Sequence, residues 1–151
     1  MIGYLAWIMS RKEEAMAIQT LYRTIQDIKA TNTMSIHTGT EGMTVAQMLL
    51  SAHIPEVPVV DDQGRYVGLI SEFELLRAIE SGQELRTIKV ENIMNRRLYS
   101  VGKNMAIEMA LNYMENNHLL NLPVVEDGYL IKTVSRHDLL RAMVDAGLGL
   151  E

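Results

Sequence analysis

Apolar and polar positions along the chain switch between a strand-like and a helix-like period, and they do so twice in the same order. Val57-Pro58-Val59-Val60 is a short β-branched run, Asp61-Asp62-Gln63-Gly64 an acidic-glycine turn, and Tyr66-Val67-Gly68-Leu69-Ile70 a second apolar run. Ser71-Glu72-Phe73-Glu74 then opens a helical pattern at Leu75-Leu76-Arg77-Ala78. The series returns as Leu122-Pro123-Val124-Val125, Glu126-Asp127-Gly128, Tyr129 to Val134, and Ser135-Arg136-His137-Asp138 before Leu139-Leu140-Arg141-Ala142. Pro58 precedes Pro123 by 65 residues and Ser71 precedes Ser135 by 64, so one residue is lost in the turn. Upstream, Asp27-Ile28 matches Asn92-Ile93, Ser35-Ile36 matches Ser100-Val101, and Met43-x-x-Ala46 matches Ile107-x-x-Ala110. Each unit spans about 55 residues.

For the first repeat the pattern predicts a strand near Ser35-Ile36, a helix from about Met43 to Ala52, strands over 57–60 and 66–70, and a helix over 72–81 ending at Ser81-Gly82. For the second it predicts a helical turn near Val90–Met94, a strand near Tyr99–Val101, and a helix from about Met105 to Asn117. Strands over 122–125 and 129–134 and a helix over 136–146 before Gly147 complete it. Ahead of both, Ala15, Ile18, Leu21, Tyr22, Ile25 and Ile28 recur at three and four between Arg11 and Ala30, the stripe of a one-faced helix. The expected fold class is α/β (mixed α+β): a helical extension over 1–26, a first repeat over 27–82, a connector and second repeat over 83–146, and a tail over 147–151. A three-stranded sheet cannot bury both its faces alone, so the two repeats are expected to pack together.

Composition narrows the function. Fourteen basic against nineteen acidic side chains, with no basic run, disfavour a nucleic-acid partner. No cysteine is present, which removes thiolate chemistry and thiolate-bound zinc and fits a reducing, cytoplasmic setting. The apolar stretch over residues 1–9 is too short to span a bilayer and has no basic leader, so neither a membrane role nor a secretory signal is expected. The four histidines, His37, His53, His118 and His137, lack ligand spacing and read as surface or capping residues, so no metal site is expected. Met43, Met48, Met105, Met109 and Met114 at helical spacing read as core or subunit contacts. The Gly39-Thr40-Glu41-Gly42 segment reads as a loop. No phosphate-loop, dinucleotide, zinc-protease or nucleophile-elbow motif occurs, and no enzyme is expected.

Ser71-x-x-Glu74 and Ser135-x-x-Asp138 remain as the candidate chemistry. A serine followed three residues later by a carboxylate is a capping box that satisfies free amides at a helix start. The same hydroxyl, delivered by a strand to a helix N-terminus, can also hold phosphate, while the carboxylate one turn on accepts from ribose hydroxyls. Both readings stay open on these residues alone.

The doubled apolar-Pro-Val-Val-acidic run, its following strand and the doubled [ST]-x-x-[DE]-L-L motif resemble a tandem pair of cystathionine-β-synthase (CBS) domains, the Bateman module, over roughly residues 27 to 146. The resemblance implies two βαββα units about a pseudo-twofold axis with two clefts for adenosine compounds. Ser135 would contact phosphate and Asp138 the ribose; Leu120, Asn121 and Leu122 would lie beside the base, with Tyr99, Ser100 and Val101 as its lead-in wall. Lys132, Thr133, Arg136 and His137 complete this candidate site, the cations favouring an anionic ligand. In the first repeat Ser71 matches but Glu74 stands where the pattern has Asp. Glu56 and Val57 lie in a lead-in one residue shorter, which sets that cleft apart. The resemblance further implies a non-enzymatic regulatory module, with AMP, ADP, ATP, S-adenosylmethionine or an NAD-type molecule as regulatory ligand rather than cofactor. A homodimer and an effector protein would be its partners. The alternative is a scaffolding homodimer with empty clefts whose serine–carboxylate motifs are only caps.

Overall fold

A computed structural model describes residues 11–13 and 24–145. Residues 11–13 are helical. A 3-10 turn spans Ile25–Asp27, followed by strand β1 (Ile36–His37), helix α1 (Gly42–Ala52), strands β2 (Glu56–Val60) and β3 (Tyr66–Ser71), and helix α2 (Glu72–Glu80). A second 3-10 turn at Val90–Asn92 leads to helix α3 (Ile107–Asn116), strands β4 (Asn121–Glu126) and β5 (Tyr129–Ser135), and helix α4 (Arg136–Asp145). The mixed α/β class and the doubled helix–hairpin–helix order are those the sequence pattern predicts.

The described chain falls into two compact units whose boundaries do not follow the repeats. One holds the residues up to Thr31, Val101–Leu122 and the residues from Val134; the other holds Asn32–Ser100 and Pro123–Thr133.

In the second of these units β1 pairs parallel with β2, and β2 antiparallel with β3. Pro58 cannot donate to a ladder, yet it sits in the central strand. It is tolerated because β1 reaches only Val59 and Val60, leaving β2 an edge beside the proline. Asp61 shapes the hairpin by accepting the Gln63 and Arg65 amides on one carboxylate oxygen, and Gly64 supplies the positive φ of 86° that the turn needs. Ile36, Val45, Leu49, Val57, Val59, Ile70, Leu75 and Ala78 form the core, joined by Leu85, Val90 and Met94 from the connector. The connector also closes the start of α1, where Gly42 N donates to Ile88 O and Met43 N to Leu85 O, two amides a helix start would otherwise leave unpaired.

Pro123–Thr133 brings the second hairpin into the same unit. Asp127 and Gly128 both have positive φ, 52° and 86°, as a two-residue hairpin turn requires. Tyr66 N donates to Gly128 O, Leu130 N to Gly64 O, and the Arg65 guanidinium lies 5.6 Å from the centre of the Tyr129 ring.

The first helix of each repeat ends alike. His53 and His118, 65 residues apart, take left-handed backbone at φ 54° and 53°. The next amide reaches back five residues, Ile54 N to Leu49 O and Leu119 N to Met114 O. Two of the four histidines are thus terminators of helices. Among the methionines, Met114 is buried, Met43 and Met48 pack against the core, and Met109 is exposed.

Two expected elements are corrected. The helix projected over 11–30 does not continue through 24–30: Thr24 bridges Ala106, and Ile25–Asp27 is a 3-10 turn, whose period of three still buries both Ile25 and Ile28. The positions Ala15, Ile18, Leu21 and Tyr22 of that stripe, and Gly147, lie outside the described residues. The strand near Tyr99–Val101 is also absent, and the second repeat carries a two-stranded sheet, β4–β5. Arg97 N bonds the Asn95 side chain and Tyr99 N bonds Arg97 O, so the approach turns on itself and, of Tyr99–Val101, only Val101 forms an isolated bridge.

The approach of Asn95 to β3 yields a stability prediction. Leu69 and Asn95 exchange both backbone hydrogen bonds at 2.8 Å, and a Cβ on Gly68 would meet Asn95 O at 3.0 Å and Met94 Sδ at 2.6 Å. The sulfur can swing aside, but the bonded carbonyl cannot. Gly68→Ala is therefore expected to lower stability by about 1–3 kcal/mol, whereas Gly102→Ala, with nothing within 4 Å, leaves it nearly unchanged. Urea denaturation of the two variants checks this.

Candidate functional site

Both serine–carboxylate motifs close a helix, and they do so differently. At α2, Ser71 N donates to Glu74 Oε2 at 2.7 Å, the Ser71 hydroxyl bonds the same oxygen, and Phe73 N donates to Ser71 Oγ at 3.2 Å. The longer glutamate folds back and spends one oxygen on its own serine. At α4, Ser135 N donates to Asp138 Oδ2 at 3.0 Å and Asp138 N donates back to Ser135 Oγ at 3.0 Å. The shorter aspartate keeps its second oxygen turned elsewhere.

That oxygen is taken by a residue 107 positions away. Thr31 Oγ1 donates to Asp138 Oδ1 at 2.6 Å and Thr31 N donates to it at 3.3 Å. Asp138 is 3% exposed, one of only two buried polar side chains among the described residues, the other being Thr133. Burial pushes its carboxyl pKa up, but the Ser135 backbone, the Thr31 hydroxyl, the Ser135 side chain and the Thr31 backbone outweigh burial and leave it below the usual carboxylate value.

A backbone bond repeats with the motif. Glu72 N donates to Pro55 O at 3.0 Å, and Arg136 N to Leu120 O at 3.2 Å, tying each last helix to the residue that leads into its repeat's hairpin. Beside the second of these bonds lies a cavity of about 600 Å³, lined by Leu111, Met114, Glu115, His118, Leu119, Leu120 and Arg136. Its lining is mainly aliphatic, with Arg136, His118 and Glu115 as its polar groups.

The residues expected to form the second-repeat site are placed as follows. Val101, Leu120, Asn121, Leu122, Ser135, Arg136, His137 and Asp138 belong to one unit; Tyr99, Ser100, Lys132 and Thr133 belong to the other. Within the first unit, Ser135 meets Asp138, Leu120 meets Arg136, and the exposed His137 ring lies 2.8 Å from the Arg141 guanidinium. Leu122 and Val101 are buried. Tyr99, Ser100 and Val101 form no lead-in strand; Tyr99 O instead accepts from the Tyr66 hydroxyl at 3.2 Å, and the Arg97 guanidinium lies 5.5 Å from its ring centre. In the first repeat Glu56 pairs with Ser71 and Val57 with Ile70 across β2 and β3. Sequence reasoning missed Thr31. Its one signal was a hydroxyl three residues after the Asp27-Ile28 lead-in of the first repeat, at a position that the 65-residue offset gives to Arg96 in the second.

Among the described residues no helix is long and apolar enough to cross a membrane, and no group of three or more histidine or carboxylate side chains could hold a metal ion.

The family model described as "CBS domain" matches residues 25–81 and 90–145. Among solved structures the chain is similar to CBSX2 in complex with AMP, at 26% identity and TM-score 0.72 over 83% of this chain and 98% of that one. It is also similar to the CBS domain pair of protein MJ0100 in complex with 5′-methylthioadenosine and S-adenosyl-L-methionine, at 22% identity and TM-score 0.69 over 82% and 98%. Among curated proteins, homoserine O-acetyltransferase of Methanohalophilus mahii is 22% identical over 96% of this chain and 30% of its own length. Arabinose 5-phosphate isomerase KdsD of Yersinia pestis is 32% identical over 72% and 36%. The chain thus spans about a third of the length of these curated relatives.

The lowered Asp138 pKa sets a pH dependence. Its stabilisation is fully present above the unfolded-state value and is lost as pH falls through the folded-state value. Asp138→Asn keeps the shape but removes the charge, and is expected to cost about 1.5–3 kcal/mol at neutral pH. The difference between wild type and variant should shrink as the solution is acidified below the usual carboxylate range. Urea midpoints measured from pH 7 down to pH 3 test it; a constant difference would contradict the charged-acceptor role.

Proposed function

The chain belongs to the CBS domain family, and from that premise we propose that it is a non-enzymatic regulatory module that binds an adenosine-containing ligand and signals to a partner protein. The observation that carries this reading is Ser135–Asp138, a strand-delivered hydroxyl beside a buried, ionised carboxylate at the start of α4. In this proposal the Asp138 carboxylate takes ribose hydroxyls, Ser135 and Arg136 face the anionic part, and Leu120 to Leu122 flank the base. His137 and Val101 belong to the same proposed site. The bound AMP, 5′-methylthioadenosine and S-adenosyl-L-methionine of the two structural neighbours support the adenosine class. Which of them, or of ADP, ATP and NAD-type molecules, is taken here is settled by experiment. The module acts in the cytoplasm, regulates rather than catalyses, and engages neither nucleic acid nor membrane.

The two motifs are proposed to be unequal. Glu72 and Glu74 place two carboxylates at the start of α2, where they already complement the helix dipole and repel phosphate. Ser71, Glu74, Glu56 and Val57 therefore form the weaker site for an anionic ligand.

A homodimer is the second part of the proposal. The α2 helix exposes Phe73 at 71%, Leu76 at 59% and Ile79 at 54%, and α4 exposes Leu140 and Val144, more apolar surface than single helices of a monomer usually present to water. Light scattering is expected to return twice the 17.1 kDa chain mass.

The ligand reading is tested by titration calorimetry and ligand-induced melting shifts with AMP, ATP and S-adenosylmethionine. Wild type is expected to bind one nucleotide per chain with preference. Asp138→Ala should lose about 10- to 150-fold in affinity through its charge-assisted bonds, while Glu74→Ala changes little. A melting temperature that falls in Asp138→Ala while the ligand-induced shift persists would reduce Ser135 and Asp138 to a helix cap. Binding of no adenosine compound at millimolar concentration would favour the scaffolding dimer.

A further inference from the structure

The residues around Asp138 carry one consequence beyond ligand binding, and it rests on the adenosine reading. Asp138 is buried, whereas Thr31, which covers its Oδ1 with two donors, is exposed. A carboxylate offers about four acceptor sites. Thr31 takes two on Oδ1 and Ser135 N takes one on Oδ2. That leaves about one site open, and a ribose presents two adjacent hydroxyls, so it can bring both to this carboxylate only by replacing a donor. The Ser135 amide is fixed in the backbone at the head of α4, so the replaceable donor is Thr31.

Thr31 ends a strap. Thr24 bridges Ala106, Ile25 N donates to Met105 O at 3.0 Å, and Gln26 N donates to Lys103 O at 2.9 Å, which fixes the strap's other end beside the start of α3. Between these attachments Ile25 and Ile28 are buried. We infer that Thr31 is a latch whose hydroxyl and amide occupy the ribose-accepting oxygen of Asp138, so that a bound adenosine ligand must expel Thr31 and free this end of the 24–31 strap. The latch has a cost in affinity, because the ligand wins Asp138 only by breaking an existing charge-assisted bond. It also gives occupancy an output, since the segment released is the one that leads to the N-terminal region of the chain.

The test uses the full chain with AMP and 5′-methylthioadenosine as probes. Thr31→Val deletes the hydroxyl donor while keeping the shape and the amide, and should tighten binding roughly tenfold. Thr31→Ser keeps both donors and should bind as wild type does. In wild type, hydrogen exchange in a peptide covering 24–31 should rise on adding AMP while exchange over 135–145 falls. This arm decides the matter if Thr31→Val does not fold. Unchanged or weaker binding by a folded Thr31→Val, or slower exchange over 24–31 with ligand, overturns the latch and leaves the adenosine reading standing. Binding by Thr31→Val where wild type shows none supports the latch. Binding of neither probe to wild type, Thr31→Val or Thr31→Ser removes the adenosine reading and the latch with it.

Discussion

A carboxylate three residues beyond a strand-ending serine fixes the start of the last helix in each repeat, and much else is arranged around that contact. A helix start leaves amides without partners, and here they are closed from two directions. The serine and carboxylate bond each other's backbone or side chain, while the first helical amide is taken by the carbonyl of Pro55 or Leu120. That second bond connects each last helix to the residue before its own repeat's hairpin. In the first repeat the hairpin is further held by Asp61, and in the second by the paired positive φ angles of Asp127 and Gly128.

One methylene separates the two copies and changes what they can do. Glu74 is long enough to curl onto Ser71 and satisfies the cap with a single oxygen, Oε2. Asp138 likewise gives one oxygen to its serine's amide, and its other oxygen points to Thr31. The threonine's counterpart at the 65-residue offset, Arg96, donates instead to Glu91 O at 2.8 Å. Both caps use one carboxylate oxygen, so the asymmetry between the repeats lies in the donor from a distant segment that reaches the other oxygen of Asp138.

What could be read from the sequence was what is local. The turn chemistry of Asp61 to Gly64 and of Asp127-Gly128, the alternation through Val57 to Val60, and the serine–carboxylate spacing each encode their own geometry, and the corresponding elements lie within a residue or two of the pattern's limits. The failures are where a local pattern served another end. Ile25 and Ile28 repeat at three, which suits an α-helix or a 3-10 turn, and the bridge from Thr24 to Ala106 decides for the turn. Tyr99 to Val101 has the residues of a strand, but Asn95 and Arg97 fold the approach to it. Thr31 was invisible because its partner is 107 residues distant and neither residue alone announces the pairing. The 3% exposure of Asp138 was equally unreadable, since an aspartate at the third position of a helix is ordinarily solvated.

The burial of Asp138 also relates the two readings that the motif allowed. A helix cap and a ribose acceptor are usually treated as rivals for one carboxylate, but here they fall on different oxygens. Oδ2 holds the Ser135 amide and so keeps α4 started whatever happens at Oδ1. Exchange at Oδ1 conserves the number of donors on the carboxylate, two from Thr31 against two from a diol, so the charge is never left unpaired in a dry site. That matters because an unpaired buried charge costs several kcal/mol, far more than the difference between two hydrogen-bonded states. Exchange at a permanently satisfied carboxylate is the route by which a structural cap can also serve as a reversible binding group, and the glutamate of the first repeat, with both its bonds to Ser71 on one oxygen, lacks the second segment that such an exchange requires.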